Sequence, residues 1–233
     1  VEGIWNNVDN EFGKGYDGVV QFPFGYGLSY SEFEWTVGEI SVEPNSSITN
    51  NTEITIPVTV KNNGKYPARD VVEAYVNVPY TKGGIEKPST SLVGFTKTNV
   101  LQPNETETVE LVIDADDFTS YDCYDKNNNG HKGYELEAGK YVINLMTDSH
   151  NIKQVNYKNA LVDGKFEYKV DETIKITKDK ITGAEVKNLF TGEDAVDMTP
   201  LDGNEGEFVA DIPWFTRENF MKPENFRDNY KAR

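Results

Sequence analysis

The residues best suited to binding chemistry stand between positions 122 and 135, in Asp122-Cys-Tyr-Asp125-Lys-Asn127-Asn-Asn129-Gly130-His-Lys-Gly-Tyr-Glu135. Asp125, Asn127 and Asn129 fall at alternate positions, and Gly130 follows them. That spacing matches the first half of a calcium loop, in which side-chain oxygens at alternate positions face one hard cation and a glycine makes the sharp turn. The position where a bidentate Glu would close the loop is Leu136, with Glu135 and Glu137 on either side. Calcium would therefore need a shifted ligand set drawing on Asp122 or Glu135, and no flanking helices are expected. The plainer reading, preferred because the motif is incomplete, is a β-hairpin loop with Asn129-Gly130 as its turn pair. Calcium is the one cofactor that any motif suggests, and none is required.

Other reactive side chains read more simply. Cys123 is the single cysteine, which excludes an internal disulfide and a multi-cysteine metal site. No His/Asn constellation supports it as a nucleophile, so it reads as a small buried hydrophobe. His150, in Asp148-Ser-His-Asn151, reads as a turn residue, the alternative being a loop tip facing a cleft. The chain carries 39 acidic against 23 basic residues, a formal net charge of −16. That balance argues against nucleic acid, which is bound by neutralising phosphates. It suits neutral ligands such as sugars, and the acidic side chains themselves read as solvated surface.

The elements that would position these residues are strands. Ile40–Val42 and Ile54–Val60 alternate, and Asn62-Asn63-Gly64 signals a turn after them. Val71–Val78 is a strand that stops at Pro79, and a long loop marked by Gly83-Gly84 and Pro88 follows. Leu92–Phe95 is short. Thr106–Ile113 alternates, with Val109, Leu111 and Ile113 on one face. Tyr141–Met146 follows the Glu137–Lys140 turn, and a last strand lies within Lys165–Ile176. About seven short strands with turn signals between them predict an all-β, two-sheet antiparallel sandwich. No run of about 18 apolar residues occurs, so no transmembrane helix and no membrane partner are expected.

The densest aromatic stretch precedes these strands. Residues 22–35 read Phe-Pro-Phe-Gly-Tyr-Gly-Leu-Ser-Tyr-Ser-Glu-Phe-Glu-Trp, in which six of fourteen are aromatic. Pro23, Gly25 and Gly27 make a helix there unfavourable. Phe22–Tyr30 is similar to the segment that leads into the fibronectin type III-like domain of glycoside hydrolase family 3 enzymes, the β-glucosidase group. Ala68–Val76 resembles that family's strand after Asn-x-Gly. Pro88–Lys97, with Leu92, Gly94 and Phe95, resembles its Pro…Leu-x-Gly-Phe-x-Lys segment. Leu101–Val109 resembles its Leu-x-Pro-Gly-Glu…Val turn. Asn104 there replaces the usual glycine, and Asn also tolerates the left-handed conformation. Asp117–Asp122 completes the set, and the resemblance covers roughly residues 19–170.

The resemblance implies an antiparallel fibronectin type III-like (immunoglobulin-like) sandwich with irregular N- and C-terminal extensions. Residues 1–32 are expected to be the end of a preceding α/β domain and an aromatic linker. Residues 33–176 would form the sandwich. Residues 177–233 would be an extended arm leading toward a (β/α)8 barrel, as in members with rearranged domain order, anchored by Trp214, Phe215, Phe220 and Phe226. The N-terminus, lacking an initiator methionine or signal peptide, suggests a fragment or a processed product.

The resemblance also implies that the whole enzyme hydrolyses terminal β-D-glucosides with retention, using two carboxylates about 5 Å apart. In the family the nucleophilic Asp follows a Ser on a barrel strand, and the acid/base Glu follows a Lys-His pair. This chain has neither pair, so no catalytic residue is carried over and the chain alone is expected to be inactive. Its expected role is to support the remaining catalytic domains. A loop at 79–91, with Tyr80, Gly83 and Gly84, is expected to be mobile and to shape the entrance for the β-glucoside. The alternatives are an independent carbohydrate- or protein-binding sandwich, or a structural spacer. The compartment stays open.

Overall fold

The computed structural model describes residues 9–11, 13–188 and 217. Strands β1 (Asp9–Asn10) and β2 (Gly13–Lys14) form a small hairpin, followed by a 3-10 turn over Gly15–Gly18. The main strands are β3 (Phe33–Val37), β4 (Glu53–Asn62), β5 (Val71–Asn77), β6 (Ser91–Lys97) and β7 (Thr106–Asp114). A 3-10 turn at Ala115–Phe118 leads to β8 (Ser120–Asp122), β9 (Gly133–Leu136) and β10 (Gly139–Asp148). Strands β11 (Asn151–Ile152), β12 (Gln154–Tyr157), β13 (Ala160–Asp163), β14 (Lys165–Val170) and β15 (Ile174–Lys175) complete the order.

Two five-stranded sheets face each other. The first runs β13-β12-β3-β4-β7, and the second runs β11-β10-β5-β6 with β14 also paired to β10. Pairing is antiparallel, except for a single parallel step between β12 and β3 at Asn156 and Thr36. Strand β4 shows why the sheets close on each other. Ile54, Ile56, Val58 and Val60 alternate with Thr55, Pro57, Thr59 and Lys61 and are fully buried. They pack with Leu111, Ile113, Val72, Ala74, Ile143, Leu145, Phe166 and Tyr168 in one core. Each such side chain contributes roughly 1.5–3 kcal/mol when removed from water. Pro57, in the middle of β4, costs no ladder bond on the β3 side. Its carbonyl accepts Gly38 N–H at 2.8 Å, just where β3 has ended.

The expected strand at Ile40–Val42 does not form. After Gly38 the chain bonds to the first sheet through Ser41, whose N–H donates to Thr55 O at 3.1 Å and whose Oγ accepts Thr55 N–H at 2.8 Å, and then crosses to the second. Asn45 N–H donates to Glu167 O and Ile48 N–H to Lys169 O, with Asn45 turning the chain at φ 73°. A hairpin that the turn signals do not mark, β12–β13, turns on Lys158 and Asn159, at φ 49° and 64°. Asn104 takes the left-handed φ of 68° that its place in the turn requires.

The N-terminal residues 1–8 and the expected anchors Trp214, Phe215, Phe220 and Phe226 lie outside the described residues. Among the described residues, no helix is long and apolar enough to cross a membrane.

Candidate functional site

The outer face of the second sheet carries polar groups under cover. In β5 the inward positions are Val72, Ala74 and Val76, so Glu73 and Tyr75 point to the other face. Both are nevertheless buried, as are Met146 and Asp148 on the neighbouring β10. The aromatic segment provides the cover. Its Phe24 carbonyl accepts Ser149 N–H at 2.8 Å. Gly25 lies so close that an added Cβ would stand 2.3 Å from Glu73 Oε2 and 2.7 Å from the Tyr75 hydroxyl. Tyr75 donates to Glu73 at 2.7 Å. Burial pushes the Glu73 carboxyl above its usual range, the Tyr75 hydrogen bond pulls it back, and the Asp148 charge pushes it up again. Burial, with Glu73 beside it, likewise raises the Tyr75 phenol.

The side chains of the segment face away from this seat. Phe22, Phe24, Tyr26, Leu28 and Tyr30 are all exposed, Leu28 and Tyr30 to 84% and 94%. The sandwich does not bury them. Beside them, Tyr16 stacks on His150 at 3.8 Å between ring centroids. A groove of about 540 Å³ opens there, lined by Val19, Pro23, Tyr26 and these two rings. His150 thus sits on a turn, with its backbone N–H bonded to Asp148 Oδ1.

The 79–91 loop makes contacts at several points. Ile85 is buried and Lys87, also buried, pairs with Glu137 at the β9–β10 turn. Tyr80 donates to Glu86 at 2.9 Å, and its ring lies under the Arg217 guanidinium at 4.3 Å. Gly84 N–H closes a turn on Thr81 O at 3.0 Å, and Gly83 holds the φ of 75° that the third residue of a type II turn needs. Nothing stands near a Cβ added to Gly83, so this turn tip is open.

The 122–135 residues come together. Strands β8 and β9 pair from Ser120–Glu135 to Asp122–Gly133, so the loop between them is long. It is a β-hairpin loop, but Asn129-Gly130 is not its type I′ turn pair. Asp125, Asn128 and Gly130 have positive φ, whereas a type I′ pair would need it at both Asn129 and Gly130. Asp122 accepts Tyr124 N–H and Asn127 N–H, and Asp125 accepts Asn129 N–H and Gly130 N–H. Asn129 Oδ1 accepts His131 N–H at 2.8 Å. Asn127 and Asn129 donate from their side-chain amides to Glu135 Oε2 at 2.9 and 2.6 Å. Among the described residues, no three His, Cys, Asp or Glu side chains converge as a metal cluster. Cys123 is half-buried and free.

Comparison with known proteins agrees with this architecture. The family described as fibronectin type III-like domain matches residues 70–149. The chain is 37% identical over 135 residues to a β-glucosidase of Ruminococcus albus, covering 58% of this chain and 13% of that protein. It is 30% identical over 174 residues to thermostable β-glucosidase B of Acetivibrio thermocellus, covering 75% of this chain and 20% of the relative. It superposes on the crystal structure of a β-glucosidase from Paenibacillus barengoltzii with a TM-score of 0.55 and 33% identity, covering 66% of this chain and 16% of that one.

The chain carries the fibronectin type III-like domain of family 3 glycoside hydrolases. It spans a fifth or less of the length of these relatives. The matched stretch of this domain holds Glu73, Tyr75 and Asp148 as well as the 122–135 loop. Sequence reasoning passed over Glu73 and its cover. The signal was there: a single carboxylate inside the apolar run Val71-Val-Glu-Ala-Tyr-Val76, followed at alternate spacing by a hydroxyl that can bond it.

Proposed function

We propose that this chain is the non-catalytic fibronectin type III-like part of a β-glucosidase that cleaves terminal β-D-glucosides with retention, and that it braces the catalytic domains of the same enzyme. One observation carries the reading. The 22–30 backbone is held against the sandwich while its large apolar side chains face outward. Contiguous apolar surface of this kind marks a protein contact rather than a solvated linker. The catalytic carboxylate pair would then be supplied from outside this chain, consistent with the missing Ser-Asp and Lys-His pairs.

In this reading the 79–91 loop borders the substrate entrance. Tyr80 is half-buried in the loop wall, the turn tip at Gly83 is open, and the proposed role has the turn at Gly83 and Gly84 face the substrate. A domain order in which a barrel follows this chain would give the 177–233 arm its partner.

Kinetics with a nitrophenyl β-D-glucoside test the proposal. The isolated chain is expected to give no turnover above buffer. In the whole enzyme, replacing 81–87 by a short linker is expected to change KM several-fold on at least one aglycone. Turnover by the isolated chain would overturn the non-catalytic reading. Unchanged KM on several aglycones would overturn the entrance role alone.

A further inference from the structure

Glu135 is fully buried, and its Oε1 has no hydrogen-bond partner among the described residues. Its neighbour Leu136 faces the core, so Glu135 faces the opposite side of β9, into the concave side of the 123–132 loop. Strands β8 and β15 flank β9 and hold that direction, with Ser120 and Lys175 opposite Glu135. Among the described residues, no ammonium or guanidinium pairs with this carboxylate. Lys175, which does reach the loop, donates to Asn129 O at 2.7 Å instead. A buried carboxylate met only by two neutral amides, with one oxygen bare, costs several kcal/mol unless a counter-charge arrives.

We propose that residues 122–135 form a calcium site in which Glu135 is the buried anionic ligand and Asp125, Asn127 and Asn129 supply further oxygens. The donor set is carboxylate and amide oxygen, which suits a hard cation and excludes soft metals. It combines two carboxylates, Glu135 and Asp125, with the amides of Asn127 and Asn129, so no cluster of three acids or histidines is needed. Asx contacts already curl the loop. Asp122 takes the N–H groups of Tyr124 and Asn127, and Asp125 takes those of Asn129 and Gly130. A half-turn of the terminal torsion exchanges amide nitrogen for oxygen in Asn127 and Asn129, and it gives up the bonds that Asn127 Oδ1 and Asn129 Oδ1 accept from the Asn129 and His131 N–H groups. The two groups that now donate to Glu135 would then join it in facing the ion. The ligand set is thus the shifted one, closed by the residue before Leu136, and β9 delivers it.

Calorimetry and thermal melting of the 233-residue chain, stripped with EDTA and titrated with calcium chloride, test this. The expected result is one saturable site with an affinity of about 1 mM or tighter, and a melting temperature that rises with calcium. Glu135→Gln keeps the shape and removes the charge, and is expected to weaken binding at least about tenfold and abolish the thermal response. Asp125→Asn gives the same readout should Glu135→Gln fail to fold. No heat and no thermal shift for the unaltered chain would overturn the proposal, as would equal shifts in the chain and both variants.

Discussion

Asp70 accepts the Trp35 indole N–H at 2.6 Å and Val71 N–H at 3.0 Å, and so ties β3 of one sheet to β5 of the other. Burial pushes its carboxyl above the usual range, while the Trp35 and Val71 bonds and the Lys153 charge pull it back. The sign follows from proton linkage. The folded state binds this proton more tightly than the unfolded chain, so stability is gained as pH falls through the raised folded value and levels off below the unfolded one. Asp70→Asn removes that titration. The difference in unfolding free energy between the unaltered chain and Asp70→Asn should therefore shift toward the unaltered chain as pH falls from 7 toward 4. A difference that stays flat in urea unfolding across that range would show that Asp70 does not titrate in this way. At this scale Asp125, Asn127 and Asn129 were legible from their spacing. Glu135 was named from the sequence with Asp122 as the alternative, and the pairing of β9 with β8 and β15 is what aims Glu135 at the loop.

At the scale of elements, the aromatic segment and the second sheet are fitted at one point. The motif Phe-Pro-Phe-Gly-Tyr-Gly offers two glycines, and nothing in their spelling says which one the fold needs. Gly25 has φ 84° and lies against Glu73 and Tyr75, whereas nothing stands within 4 Å of a Cβ added to Gly27. Gly25→Ala is expected to destabilise the chain by about 1–3 kcal/mol, from left-handed strain and overpacking. Gly27→Ala is expected to be neutral or slightly stabilising. Urea unfolding of the two variants reads the difference, and equal effects would mean that Gly25 is not the point of closest approach. Strands with strict alternation, such as β4 and β7, were legible because one of their faces fills the core. Ile40–Val42 alternates as well, but its neighbours carry the chain between sheets, so local pattern lost to topology. The β12–β13 hairpin was missed because Lys158 at positive φ is not a turn signal.

As a whole molecule, this domain is proposed to be one body of a larger enzyme that meets the rest through Phe22, Phe24, Tyr26, Leu28 and Tyr30. Burying those side chains would remove apolar surface worth roughly 1.5–3 kcal/mol for each one fully covered, a stabilisation available only in the assembled protein. Hydrogen exchange over residues 22–30 and their sandwich seat, compared between this chain alone and the whole enzyme, tests this contact. The 22–30 amides are expected to exchange at least about tenfold more slowly in the whole enzyme, with the β4 and β7 amides little changed. Identical exchange of the segment in the two proteins would contradict the contact.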